Sequence, residues 1–392
     1  MTTSRIVNIS ENLVAQINSN IFFQEFTFQK NEFYPPDTKI ELQLADNVVW
    51  IDDLLFIFQI KDRNKDSLCD SSSESKWYQN KVIKKGVSQI KDTLEYFSKY
   101  PQIIIQNERG YKIDVAKAKQ TFIKNIIIFN PNEKFPDDLR FNKFHESRTA
   151  GIIHLFHIED YFNICKYLIT PSEINEYLEF REKIYLKHKC IINNFPEQYV
   201  LGHFLETSDI SFIKPEYVET LKRFKQEYSN DILFSIIKIF RDNTETYEKK
   251  DDYFYILKEI AKLKRNEFKE FQKRFFISIE KCNEQNIVVP YRISFPRINC
   301  GFVFIPLAKK NSNNWKIALH NYTMVHKYDQ KLSKCIGIIF FKSSNSRLSY
   351  EVFWEYVEID WTYNEEMEKV IKEKFPFREI HEHELERYEF DK

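Results

Sequence analysis

The spacing of hydrophobic residues in the first part of the chain alternates between helical and extended patterns. Ser10 precedes Glu11-Asn12-Leu13-Val14, which is the order of an N-cap and a first helical turn. The run FFQEFTF favours a strand, and Asp52-Asp53 is a turn signal between two extended segments. The predicted elements are a helix over 10–20, a strand over 22–28, an extended segment over 39–51 and a returning strand over 54–61.

The next segment has helical spacing and is followed by two apolar runs. Polar, serine-rich residues 62–75 predict a connection, and the apolar positions after them recur every three or four residues. These positions, which predict an amphipathic helix over 76–100, are Ile83, Val87, Ile90, Leu94 and Phe97. The runs KNIIIF (124–129) and GIIHLFH (151–157) are typical of buried central strands. This order predicts one α/β domain over residues 1–185, in which His154 and His157 are interpreted as buried rather than catalytic.

The remainder of the chain predicts two further regions. Residues 186–285 are mainly helical in pattern, most clearly over 252–282, where apolar residues keep a helical period. Residues 286–392 form an α+β module of unassigned role, for which sensing or partner binding is expected. Its elements are β-like runs over 300–307, 335–341 and 350–361 and a helix over 365–374.

Composition narrows the chemistry that the chain can carry. The 392 residues include only 6 glycines, and no two of them form a glycine-rich nucleotide loop or a hydrolase nucleophile elbow. The 6 cysteines are never closer than 18 residues, which excludes CxxC sites and is typical of reduced thiols. No apolar run approaches the ~20 residues of a membrane span, so a soluble cytoplasmic protein without a membrane partner is expected. Carboxylates, amides and lysines remain as candidate functional groups.

The hairpin over 39–61 brings three such groups together. If Asp52-Asp53 are the two central turn residues, the numbers of paired positions sum to 105, and Asp46 lies opposite Gln59. Side chains alternate along a strand, so Lys61 shares the face of Gln59. The sequence therefore predicts Asp46, Gln59 and Lys61 within a few ångströms of one another.

Asp46, followed after twelve residues by Gln59-Ile60-Lys61, resembles the active-site hairpin of the PD-(D/E)XK nuclease superfamily. The resemblance is to the Mrr-like variant with Gln in place of the second acidic residue, and it covers roughly residues 5–160. Ala45 stands where that superfamily often has proline. The resemblance implies a restriction-endonuclease-like core, with a mixed central sheet flanked by helices, and a DNA endonuclease that acts in prokaryotic defence.

The resemblance also implies a role for each residue. Hydrolysis of a phosphodiester would require Mg²⁺ or Mn²⁺, which prefer oxygen ligands. Asp46 would be the principal ligand, joined by Gln59, the Ile60 carbonyl and Glu11. Lys61 would orient the attacking water or stabilise charge on the phosphate.

Cationic residues next to the hairpin predict a place for the nucleic acid, although the 58 basic and 58 acidic residues of the whole chain balance. Lys81, Lys85 and Gln89 recur at intervals of four residues along one helix face. With Arg63 and Lys84 they would form a local positive field that binds phosphates of DNA, or of RNA as the alternative.

The same residues also have other interpretations. Asp46 and Gln59 are also explained as cross-strand surface neighbours, the lysines as a solvated helix face, and Glu11 as a first-turn acid favoured by the helix dipole. A nuclease-like domain without catalytic activity would instead bind nucleic acid as an assembly subunit. In a separate alternative, the C-terminal module docks a partner protein that controls the nuclease, or a second copy of the chain.

Overall fold

The computed structural model divides the chain into two compact units, residues 1–230 and 231–392, which are described separately. The structure describes residues 9–29, 31–35, 40–64, 70–118, 123–189, 191–227, 231–244, 252–282, 284, 288–342 and 350–383. None of the helices in these ranges combines the length and apolar character that a bilayer crossing needs.

The first unit is a mixed α/β structure. Its helices are α1 (Ile9–Ile21), α2 (Ser71–Trp77), α3 (Val87–Lys99), α4 (Asp137–Arg140), α5 (Ile158–Tyr167), α6 (Pro171–Lys187), α7 (Glu197–Glu206) and α8 (Thr220–Glu227). Its strands are β1 (Thr27–Phe28), β2 (Glu32–Phe33), β3 (Leu42–Gln43), β4 (Asn47–Ile51), β5 (Leu54–Asp62), β6 (Ile104–Gln106), β7 (Lys112–Asp114), β8 (Ile123–Asn130), β9 (Phe144–Ser147) and β10 (Gly151–His157).

Six of these strands form the central sheet in the order β1-β4-β5-β8-β10-β9. The pairs β5–β8 and β8–β10 are parallel, whereas the outer pairs are antiparallel. One face of β5 presents Leu55 and Ile57 to a core that includes Phe97 of α3. On the opposite face, Phe58 contacts Tyr161 of α5, with ring centroids 5.8 Å apart. The predicted hairpin, helix and two buried strands are therefore present, in the predicted order.

A π-helical segment, Tyr78–Gly86, joins α2 to α3, so residues 71–99 form one continuous helix. The predicted start at residue 76 is too late, because the helix begins five residues earlier, at Ser71, with Asp70 as its N-cap. Its carboxylate accepts the Ser73 N–H at 2.7 Å, and the Ser73 hydroxyl accepts the Asp70 N–H at 3.0 Å. Part of the predicted connection, 65–69, lies outside the described residues.

Two expectations near the N-terminus are wrong in detail. Helix α1 begins at Ile9, so Ser10 lies inside its first turn, where the hydroxyl accepts a hydrogen bond from the Asn130 amide at 3.0 Å. The predicted strand over 22–28 is reduced to Thr27–Phe28. Phe22 instead packs on Phe56 with ring centroids 4.8 Å apart, because apolar residues fill a core equally well from a turn.

The division into units differs from the predicted boundary at residue 185, which falls inside α6. Arg181 of α6 is fully buried, and its Nη2 donates to Glu197 of α7 at 2.9 Å. This pair and the neighbouring contacts of α7 keep α7 and α8 in the first unit. The rest of the predicted helical region, 186–285, belongs to the second unit.

The second unit is also α/β. It contains helices α9 (Asp231–Thr244), α10 (Phe254–Ala261), α11 (Arg265–Lys281), α12 (Trp315–Asp329) and α13 (Glu365–Lys374). Its strands β11 (Tyr291–Phe295), β12 (Cys300–Leu307), β13 (Lys334–Lys342) and β14 (Tyr350–Glu358) form a sheet in sequence order, with a parallel central pair. The helix predicted over 252–282 is two helices, because α11 restarts where Lys264 N–H donates to Glu267 Oε2 at 2.7 Å.

Helices cover both faces of this second sheet. Phe271 of α11 contacts Phe302 of β12 on one face, with ring centroids 5.0 Å apart. On the other face α12 lies so close to β13 that a Cβ at Gly337 would be 1.9 Å from Thr323 Oγ1. Glycine is therefore required at this position of β13.

Candidate functional site

The hairpin of β4 and β5 has the predicted turn and register. Asp52 adopts a φ of 52°, a left-handed conformation that Asp tolerates better than most residues. Ile51 pairs with Leu54, and the pairing continues to Asn47 with Phe58. The sum of 105 is thus confirmed for the residues of the ladder.

The ladder becomes irregular at Asp46. The Asp46 N–H donates to Phe58 O at 3.1 Å, although the register pairs Phe58 with Asn47. Asp46 and Asn47 thus both lie opposite Phe58, which is the pattern of a β-bulge. A β-bulge changes the direction of the side chains next to it. The expected direct pairing of Asp46 with Gln59 is therefore wrong, and the bulge instead turns the Asp46 carboxylate toward Ile60, whose N–H donates to Oδ2 at 2.7 Å.

The Lys61 ammonium joins the predicted group of residues. Its Nζ lies 3.1 Å from Asp46 Oδ2, 3.3 Å from Gln59 Oε1 and 3.0 Å from the Ile60 carbonyl oxygen. An ammonium has three N–H donors, so these three oxygens satisfy it completely. The Asp46 and Lys61 side chains are only 5% and 10% exposed, and Gln59 is 2% exposed. The predicted proximity of Asp46, Gln59 and Lys61 is confirmed, in a recessed site.

Charges on two helices act on this group. Burial lowers the pKa of Lys61, and the nearby Asp46 carboxylate partly offsets the shift. Glu11 of α1 also raises this pKa, while Lys85 lowers it. Two helices therefore place charges near Lys61. Glu11 is the anionic residue and Lys85 is the cationic one.

The helix over 71–99 approaches the sheet at this place because of two residues. A Cβ at Gly86 would lie 3.0 Å from Ile127 Cδ1, and Ile127 pairs with Gln59 in the parallel ladder. Two turns later, the Thr93 hydroxyl donates to Leu44 O at 2.5 Å, just before Asp46 in the chain. Gly86 and Thr93 thus fix the helix beside the hairpin, with Lys85 next to the closest point of approach.

The other predicted phosphate-binding residues lie in two environments. Lys81, Lys84 and Lys85 are exposed on the helix, and Gln89 is half-buried one turn after Lys85. The Gln89 Oε1 atom is buried without a hydrogen-bond partner among the described residues. Arg63 differs, because its Nε donates at 2.8 Å to the fully buried Glu74 of α2. Arg63 is therefore tied to the fold, while the lysines face solvent.

A Mg²⁺ or Mn²⁺ ion would need several oxygen ligands at this place. Within the described ranges, no group of three or more His, Cys, Asp and Glu side chains is arranged to hold a metal. Asp46 Oδ2, Gln59 Oε1 and the Ile60 carbonyl do converge on one point, where Lys61 Nζ lies. Hard oxygen atoms of this kind, completed by water, fit a Mg²⁺ ion, provided that the ammonium moves away.

Sequence reasoning did not identify several residues that build the site. Asn31 Oδ1 accepts the Ala45 N–H at 3.0 Å and so holds the segment that leads into Asp46. Asn18 of α1 donates to Asn47 Oδ1 at 2.7 Å and ties the first helix to the hairpin. Gly86 carried a signal, since glycine is rare in this chain and unfavourable inside a helix, whereas the two asparagines and Thr93 had none.

In comparisons with protein-family models, curated proteins and solved structures, the chain gives no significant match.

Proposed function

We propose that the first unit is a metal-dependent nuclease with a restriction-endonuclease-like core, and that DNA is its substrate. The observation that carries this proposal is the convergence of Asp46 Oδ2, Gln59 Oε1 and the Ile60 carbonyl within 3.3 Å of one cationic atom. Asp46, Gln59 and the Ile60 carbonyl would hold a Mg²⁺ or Mn²⁺ ion, with Glu11 close by. When bound, this ion would polarise a phosphate and acidify a water.

Lys61 and Lys85 support the proposal because both are cationic and would interact with the phosphates of a nucleic acid. Once displaced from the three oxygens, the Lys61 ammonium remains tethered beside them and would stabilise negative charge on a phosphate. Lys81, Lys84 and Lys85 are exposed on the adjoining helix and would attract the nucleic-acid backbone. A role as an effector of prokaryotic defence, in the cytoplasm, belongs to the same proposal.

The test is to incubate the full-length protein with supercoiled plasmid, linear DNA and RNA, each with Mg²⁺, Mn²⁺ or EDTA. We expect DNA cleavage with either cation and none in EDTA. Asp46→Asn should abolish cleavage, because the amide supplies no negative charge to a cation. The hairpin should be preserved in this variant, since the amide oxygen still accepts the Ile60 N–H. Asp52→Asn, in the turn of the same hairpin, should cleave as the parent does.

Equal cleavage by Asp46→Asn and the parent would remove this site from consideration. A second candidate function is a nucleic-acid-binding or assembly subunit without catalysis, which a partner complex would control. It is favoured by one observation, namely that Lys61 Nζ itself satisfies the three oxygens. Calorimetric titration with Mn²⁺ separates the two, since the second candidate predicts no binding at this site.

A further inference from the structure

The second unit contains a cavity of about 800 Å³ between α12, α13 and the segment after β14. This volume is within the range of small-molecule sites, roughly 300–1,000 Å³. Most of the side chains around it are apolar or aromatic, including Tyr322, Val325, Trp361, Met367 and Val370. The cavity borders the core of this unit, because its lining residue Val325 belongs to the same apolar cluster as Leu319 of α12 and Ile339 of β13.

The aromatic wall of the cavity is held in place by hydrogen bonds. The Trp361 indole N–H donates to Tyr328 O at 3.0 Å, and the two ring centroids are 5.5 Å apart. The Tyr328 hydroxyl accepts the Asn364 N–H at 3.0 Å and donates to Glu368 Oε1 at 3.0 Å. The wall is thus formed before any ligand binds, which lowers the entropic cost of binding.

Lys327 is the unusual residue of the lining. It is only 5% exposed, yet within the described ranges its ammonium makes no hydrogen bond or ion pair. Lysines that are so little exposed are rare unless they are paired. Burial lowers the pKa of Lys327, and the Asp360 carboxylate acts in the opposite direction. An anion bound in the cavity would supply this ammonium with a charged partner.

The charges around the cavity favour the same kind of ligand. Lys327 and Lys374 are cationic lining residues, whereas Asp360 is exposed at the edge and lies beyond ion-pair distance of Lys327. We propose that this cavity binds a small organic anion with an aromatic body, whose charged group lies against Lys327 and whose rings lie against Trp361. Aromatic carboxylates, sulfonates and phosphate esters share this chemistry.

The test uses 8-anilinonaphthalene-1-sulfonate, which is an aromatic anion, and N-phenyl-1-naphthylamine, which has the same rings without the sulfonate. Fluorescence titration of the full-length protein should show saturable binding of both probes. Lys327→Met should weaken binding of the sulfonate roughly tenfold or more and leave the neutral probe unchanged, since it removes a charge-assisted hydrogen bond. Lys316→Met, on the exposed side of α12, is the matched control and should bind both probes as the parent does.

Folding of the variant does not limit the test. Lys327→Met keeps the unbranched apolar stem of the side chain, so the variant is expected to fold with the parent's unfolding midpoint. Met367→Trp, which fills the cavity without changing its charge, should weaken both probes. Equal sulfonate affinity in the parent and Lys327→Met, or no saturable binding by the parent, would overturn the proposal.

Discussion

Asp46 Oδ2 accepts the main-chain N–H of Ile60 at 2.7 Å. At the end of the hairpin, a side-chain carboxylate thus replaces the main-chain carbonyl that normally accepts the N–H of a neighbouring strand. The same oxygen accepts the Lys61 ammonium at 3.1 Å. One atom therefore both completes the strand pairing and contributes to the oxygen cluster. For this reason Asp46→Asn, which keeps an acceptor for Ile60, is a cleaner test of charge than Asp46→Ala.

Lys61 and a bound cation would compete for the same three oxygens. We therefore expect Lys61→Met to bind Mn²⁺ more tightly than the parent, because both the competing ammonium and its repulsion of the metal are removed. The same variant should cleave DNA about 10²–10³ times more slowly, since it lacks the cation that stabilises charge on the phosphate. Calorimetric titration and a plasmid-cleavage assay measure the two effects.

The matched control is Lys84→Met, which removes an exposed lysine outside the oxygen cluster and should leave Mn²⁺ affinity unchanged. Weaker Mn²⁺ binding by Lys61→Met would contradict the shared position of ammonium and metal. Unchanged cleavage by Lys61→Met would contradict its role toward the phosphate.

Gln59 supplies a neutral oxygen at 3.3 Å from Lys61 Nζ. Gln59→Glu should increase Mn²⁺ affinity and retain cleavage, because a carboxylate offers the same hard oxygen with a negative charge. Titration calorimetry with the plasmid assay measures both. Gln106→Glu, on the exposed part of β6, controls for the added charge, and a loss of Mn²⁺ binding in Gln59→Glu would show that position 59 is no ligand.

Local sequence patterns were sufficient to predict the hairpin and its register. Turn chemistry at Asp52-Asp53 and the alternation of side chains fix which residues of β4 and β5 face each other. The alternation of side chains along a strand also predicts Gln59 and Lys61 on one face, and in the structure these two side chains are in contact. These features depend on neighbouring residues in the chain, so a single sequence is informative about them.

The bulge at Asp46 and the domain boundary could not be predicted in this way. The segment that leads into the bulge is held by Asn31, whose side-chain oxygen accepts the N–H of Ala45, fourteen residues later. The boundary depends on the buried contact of Arg181 with Glu197, in which two charged residues are used inside a core. Charged side chains are usually on the surface, so a pattern of polar positions gives no signal for such pairs.

The exposed lysines of the helix over 71–99 predict how binding responds to salt. The triple variant Lys81/Lys84/Lys85→Ala should bind duplex DNA more weakly at every sequence. For each phosphate that the variant no longer neutralises, the slope of log affinity against log salt should decrease by about one. Binding measured in EDTA by fluorescence anisotropy separates this effect from cleavage. The control is Lys166/Lys183/Lys187→Ala, which removes three exposed lysines of α5 and α6.

An unchanged salt slope in the first triple variant would mean that its lysines only solvate the helix. An equal decrease of the slope in both triple variants would mean that DNA binding reflects charge spread over the first unit rather than a path beside the hairpin.

His154 is fully buried in β10 and predicts a pH dependence of stability. Arg181 Nη1 lies 3.2 Å from His154 Nδ1, and since arginine can only donate, Nδ1 is the acceptor. Nε2 then carries the proton and donates to Glu182 Oε1 at 2.8 Å. Burial lowers the pKa of His154 to about 4, and the Arg181 charge acts in the same direction, while Glu182 opposes it.

The unfolding free energy of the first unit should therefore fall as the pH is lowered from about 6.5 to about 4. In this range His154 becomes protonated in the unfolded chain but stays neutral in the folded protein. The decrease attributable to His154 is on the order of 3 kcal/mol. His154→Gln offers the same acceptor to Arg181 and the same donor to Glu182 but cannot be protonated, so its unfolding free energy should change less over this range. Hydrogen exchange of peptides from β10 and α6 at pH 7 and pH 4.5 gives these free energies. His320→Gln, at an exposed position, should keep the parent's pH dependence, and an identical pH dependence in His154→Gln and the parent would show that His154 is not held neutral by the fold.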